Sequence, residues 1–147
     1  MTHEQLKDLI RRYATDVWNQ GDPAALGDFV TTDVVYHDAA EALPIRGIDA
    51  LRAFVAGHQE QTPDLALEVQ EVLADGDMGA CRYVLTGRHV NPFMGVAPTG
   101  KALAVPGMNL FKVRDGKFCE IWADWNVMAL MVQMGAAPAG NALGATR

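Results

Sequence analysis

The chain has 147 residues, half of them apolar and a fifth charged, with a formal net charge of -6. That length suits one domain with a real core, and the negative balance argues against nucleic acid, which needs a basic surface to meet phosphates. No apolar run is as long as a membrane span, and Glu4, Asp8 and Asp16 interrupt the first residues, so these do not read as a signal peptide.

Taken in order, Thr2-His3-Glu4-Gln5 has the form of a capping box, so a helix is predicted to start there. Leu6, Leu9, Ile10, Tyr13 and Val17 follow at helical spacing and give it one apolar face, and Gln20-Gly21 is expected to end it. Asp22-Pro23 opens a second short helix, because Asp caps well and Pro is tolerated where no N–H is needed. Val34 to Asp38 reads as a short strand, followed by a loop to Arg46. Ile48 to His58 reads as a third helix, with Leu51, Phe54, Val55 and His58 on one face.

Leu65, Leu67 and Val69 alternate with polar or small residues, which marks a half-buried strand; the alternation breaks at Val72-Leu73, where a bulge is expected. Asp75-Gly76 and Asp115-Gly116 are hairpin turns, since both central positions favour residues that tolerate positive φ. They link strands over Ala80 to Val90 and over the two apolar runs on either side of Asp115. Residues 91–101 hold Pro92, Gly95, Pro98 and Gly100 and read as a lid or rim loop. From Asn126 the pattern turns helical through Val127, Leu130, Met131 and Met134. Residues 1–135 thus read as one domain, with 136–147 a flexible tail rich in Ala and Gly. Helices on one side of a mostly antiparallel sheet make an α+β fold, and a bent sheet capped by helices leaves an apolar pocket.

Several motifs resemble the SnoaL-like polyketide cyclase family of the NTF2-like superfamily. They are N-Q-G-D at 19–22, V-V-Y-H-D at 34–38, L-T-G-R-H at 85–89, P-T-G at 98–100, D-G-K-F-C-E-I-W at 115–122 and Q-M-G at 133–135. The resemblance implies a cone-shaped α+β fold with N-terminal helices over an apolar pocket, a cofactor-independent cyclase or isomerase, a hydrophobic small-molecule substrate and a homodimer. It also implies a general acid/base Asp directly after the Trp of the last motif. Here that position is Ala123, and Asp124, one residue on, should face the other side of the strand. Ketosteroid isomerase, a similar superfamily member, implies instead a general base at Asp38 and an oxyanion donor at Asn109. Its donor tyrosine falls on Ala14, with Tyr13 about 100° away round the helix.

The candidate catalytic residues are therefore Asp38 and Asn109. Asp38 in an apolar pocket suits general-base work near neutral pH, and its alternative reading is a turn cap at a strand end. Asn109 lies within an apolar strand, where an unpartnered amide is costly, so it must meet a ligand or a neighbour. Tyr36, two residues before Asp38, shares its face and is a substrate-binding candidate, as are Tyr83, His89, Phe111, Trp122 and Trp125. His37 should face away from Asp38. No metal is expected, because the four histidines lack ligand spacing. Cys81 and Cys119 stand in no metal or redox motif, which predicts reduced thiols and a cytoplasmic protein. Three functional readings follow: acid/base ring closure, ring closure driven by shape alone, and a non-catalytic binding module of the same fold.

Overall fold

The computed structural model describes residues 1–19 and 21–138. Helix α1 spans His3–Tyr13, and its predicted capping box is present, with Thr2 and Gln5 exchanging side-chain and backbone hydrogen bonds. Its Leu6, Leu9, Ile10 and Tyr13 are buried, and each of the three aliphatic side chains contributes roughly 1.5–3 kcal/mol through the apolar surface removed from water. The helix then widens into a π-helical segment, Ala14–Asn19, and a 3₁₀ turn over Pro23–Asp28 follows. Strand β1 is Val30–Asp38, longer than the sequence pattern suggests, and a two-residue strand β2, Ile45–Arg46, forms where a loop was expected. Then come α2 (Ile48–Gln61), β3 (Ala66–Asp75), β4 (Met78–Arg88), β5 (Ala102–Arg114), β6 (Lys117–Trp125) and α3 (Val127–Gln133).

The strands form one sheet in the order β2-β1-β6-β5-β4-β3. All pairs are antiparallel except β1 with β6. The fold is thus α+β, with the helical layer on one face, here called the inner face. The core lies between that face and α1, α2 and the segments joining them. A smaller cluster of Leu103, Val105, Leu130 and Met134 sits under α3.

The bulge in β3 falls between Val69 and Glu71 rather than at Val72-Leu73. One extra residue there resets the alternation, so Leu67 and Val72 both turn inward although their positions differ by an odd number. Two amide side chains finish the sheet edges. Asn19 bonds both backbone groups of Leu67, fixing the helical layer to the edge strand β3. Gln133 does the same for Ala104 on β5, beyond the point where β6 stops pairing at Gly107–Trp125. In each case the amide supplies the donor and acceptor that a neighbouring strand would have supplied. Ala136 still donates to the Met131 carbonyl. The rest of the expected tail, from 139 on, lies outside the described residues, as does Gln20.

Candidate active site

Strand register builds the site. Asp38 pairs with Ala123, Ala123 with Asn109, and Asn109 with Cys81, so the four stand in one row across the inner face of β1, β6, β5 and β4. Neighbouring strands are about 4.8 Å apart, which separates Asp38 from Asn109 by about 10 Å of sheet with only a methyl group between them. A second row joins Trp125, Gly107 and Tyr83. Gly107 matters there, because a Cβ on it would lie 2.6 Å from the Tyr83 ring. Without one, Tyr83 lies across β5 and its hydroxyl donates to Asn109 Oδ1 at 2.9 Å. With its oxygen engaged, the Asn109 amide has its N–H₂ group to offer.

Asp38 is buried but well served. Trp125 Nε1 donates to Oδ1 at 3.0 Å and the Ala40 amide donates to Oδ2 at 2.9 Å. Asp38 caps the turn after β1, and it also lines the cavity. Each oxygen keeps a second lone pair, so a carboxylate held this way can still accept a proton.

Tyr36, Asp38, Tyr83, His89, Asn109 and Trp125 all line one cavity beneath α2. Burial pushes the Tyr36 and Tyr83 hydroxyls well above the usual phenol range, so both are neutral donors. Burial likewise raises the Cys81 thiol to about 11, so that end of the row carries no thiolate near neutral pH. His89 sits at the loop end of the cavity. The Thr99 amide donates to its Nδ1 at 3.3 Å, and the Thr99 hydroxyl lies 3.0 Å from the same nitrogen. These contacts place the proton on Nε2, which is buried and has no partner among the described residues.

Two expected site residues lie elsewhere. Phe111 is two residues beyond Asn109, in the region that α1 covers; it packs against Tyr13 and Phe118 and does not reach the cavity. Trp122 is on the outer face, stacked on His37 at 5.4 Å, with His37 paired to Glu120. Positions 122 and 125 differ by an odd number, so a regular strand cannot point both inward. Tyr13 is not a cavity donor either: its ring is held edge-on by Phe29, Phe111 and Phe118.

The sequence reading missed Trp18, Phe54, His58 and Phe93, which form the apolar end of the cavity. Phe54 and His58 were legible as part of a helix face, though not as a cavity wall. Trp18 was not legible, because the α-helical period places it beside Val17 and away from the core. The π-helical widening shifts that phase, and both become buried. Phe93 belongs to the loop 91–101, where a tight Phe93–Val96 pairing with positive φ at Met94 and Gly95 turns its ring toward His58. Among the described residues no three His, Cys, Asp or Glu side chains converge as metal ligands, and no helix is long and apolar enough to cross a membrane.

Comparison with known proteins places this geometry in company. A sequence model of the SnoaL-like polyketide cyclases matches residues 8–134. The aklanonic acid methyl ester cyclase DnrD of Streptomyces peucetius is 28% identical over 120 residues, covering 80% of this chain and 81% of that protein. Among solved structures, a putative SnoaL-like polyketide cyclase from Jannaschia sp. CCS1 superimposes with a TM-score of 0.83 at 27% identity, covering 92% of this chain and 95% of that one. IdmH, a putative polyketide cyclase from Streptomyces antibioticus, gives 0.78 at 30% identity, covering 90% and 99%.

Proposed function

Because the chain belongs to the SnoaL-like polyketide cyclase family, we propose that it closes a ring in a hydrophobic, carbonyl-bearing substrate of the polyketide class, using its own acid/base groups. The observation that carries this reading is that Asp38 and Asn109, two strands apart in one row, both line one largely apolar cavity. The resemblance implies a carboxylate at 123, and here a carboxylate stands one strand over, at the register position paired with 123. The work moves from β6 to β1, and the cavity between Asp38 and Asn109 seats the reacting carbon.

In this mechanism Asp38 takes a proton from the carbon next to a carbonyl. The enolate oxygen that forms is held by the Asn109 amide, which Tyr83 orients, and Tyr36 faces the same space as a neutral hydroxyl donor. Donors fixed in a dry cavity stabilise such an oxyanion far better than mobile water does. The aromatic end, with Trp18, Phe54 and Phe93, holds the rest of the substrate folded so that its second carbonyl lies within reach of the new nucleophile.

The test is Asp38→Asn, whose single acceptor oxygen can keep the Ala40 turn cap while the bond from Trp125 and the base are lost. With aklanonic acid methyl ester as the first probe, turnover should fall on the order of 10²-fold or more. Unchanged turnover would transfer the reaction to ring closure by shape alone, with Asp38 a structural cap. The same family membership supports a homodimer. The outer face offers a site for it, since Met108 and Leu110 are large, apolar and exposed (61% and 42%) at the centre of the sheet opposite the cavity. Light scattering that returned only the mass of one chain, 15.9 kDa, at high concentration would remove that reading. Two free cysteines, one of them buried, agree with a reducing, cytoplasmic location.

A further inference from the structure

A ring-closing aldol reaction involves two carbonyl oxygens. One becomes the enolate oxygen and the other becomes the alkoxide, so each needs a hydrogen-bond donor. In the mechanism above Asn109 holds the enolate oxygen. The other must be met by a different group in the same cavity.

His58 is such a group. It lines the cavity from α2, opposite the sheet that carries Asp38 and Asn109. Aromatic rings surround it: Phe54 at 4.4 Å, Phe93 at 5.8 Å and Trp18 at 6.2 Å, centroid to centroid. No hydrogen bond from a described residue engages its ring. Burial holds His58 below its ordinary range, opposed in part by the carboxylates of Asp38 and Glu41. The ring is therefore neutral at pH 7 and carries one N–H with no protein acceptor. His89, the other cavity histidine, is less suited, because its free Nε2 is sealed from solvent and its Nδ1 is tied to Thr99.

We propose that His58 is a second catalytic residue of the ring closure, the donor that holds the acceptor carbonyl oxygen while the carbon–carbon bond forms. The inference rests on the acid/base reading above. Asp38 takes the C–H proton, and the electron pair of that bond becomes the enolate and then the new C–C bond. The π pair of the second carbonyl moves onto its oxygen, which the His58 N–H holds. The proton on Asp38 passes to this alkoxide, leaving a hydroxyl and a restored carboxylate, so no other reactant is consumed. A neutral imidazole with a lowered pKa is the right electrophile here, because it donates without first having to be charged in a dry site.

Separating the two steps tests the proposal. In D₂O, with aklanonic acid methyl ester as probe, enolisation is read as deuterium entering the substrate carbon, and ring closure as product. His58→Phe should keep deuterium exchange within a few fold of wild type and lose about 100-fold in ring closure, with KM little changed. His58→Gln, which retains an N–H donor, should recover most of that loss. Asp38→Asn should lose both steps. If Asp38→Asn still exchanges deuterium, the acid/base reading fails and this inference falls with it. If Asp38→Asn loses exchange but His58→Phe closes the ring at the wild-type rate, only the role of His58 is overturned. A measurement without substrate stands beside these. By NMR, His58 should titrate below 6.5, and lower still in Asp38→Asn, where an attractive carboxylate is gone. Titration at 6.5 or above, unmoved by Asp38→Asn, would take His58 out of the cavity and overturn the proposal.

Discussion

The two faces of the sheet break the same alternation in opposite ways. On the inner face, buried among apolar residues, stand Asp38, Asn109 and His89. On the outer face, among charged residues, stand Met108, Leu110 and the half-buried Trp122. Asp38 and His37 are chain neighbours, yet one receives two N–H donors inside a cavity while the other stacks on a tryptophan and pairs with Glu120. A polar group on an apolar face is costly, so it persists where it has a task and fixed partners. An apolar group on a polar face costs little, and where such groups form a contiguous patch they mark a surface for contact. In the function proposed above, the inner exceptions serve chemistry and Met108 and Leu110 serve association, so substitutions on each face should fail in different assays.

The largest effect should come from filling the gap in the inner row. Ala123→Leu puts four heavy atoms of branched chain between Asp38 and Asn109, and we expect turnover to fall at least about 100-fold, well beyond the 1–3 kcal/mol of overpacking that thermal melts should register. A variant that lost stability but turned over normally would place the reacting carbon elsewhere. Next in size is Asn109→Leu. It removes the oxyanion amide and leaves the Tyr83 hydroxyl without an acceptor, so kcat should fall about 10- to 100-fold. Stability should also drop by about 1–3 kcal/mol from the stranded hydroxyl, measured by urea unfolding.

On the outer face, Met108→Glu with Leu110→Glu should convert a dimer to a monomer in sedimentation at concentrations where wild type stays paired. Turnover per chain should be unchanged within about twofold, since neither side chain reaches the cavity. Loss of turnover with monomer formation would couple the two faces. The acid dependence of stability is a smaller effect. His58 has a folded pKa below its unfolded value, so from pH 6.5 downward the unfolded chain binds more protons than the native one. The stability contributed by the neutral ring is present above 6.5 and declines as pH falls through the window between the two values. His58→Gln should flatten the melting temperature across that window. The smallest effect should be His37→Ala. Its pair with Glu120 is a third exposed, so the loss should stay within about 1 kcal/mol with turnover unaffected.

Local chemistry determined much of this molecule. The capping box at Thr2, the Asp-Gly turns, the helix face ending in His58 and the strand alternation all follow from neighbours within a few residues, which is the range over which backbone propensity and side-chain period act. Parity along one strand was enough to put Tyr36 with Asp38 and to separate Asp124 from Ala123. Tertiary structure decided whatever depends on pairing between strands or on a break in the period. Only the parallel pairing of β1 with β6 sets Asp38 beside Ala123, because register is fixed by side chains far apart in sequence. Only the π-helical widening turns Trp18 into the cavity, and only the cover given by α1 makes Phe111 a core residue rather than a wall of the site. The sequence supplied a carboxylate, an amide and an imidazole on three separate elements. The fold brings them to one cavity, because the inner face of the sheet and the helix above it have nowhere else to bury their apolar neighbours.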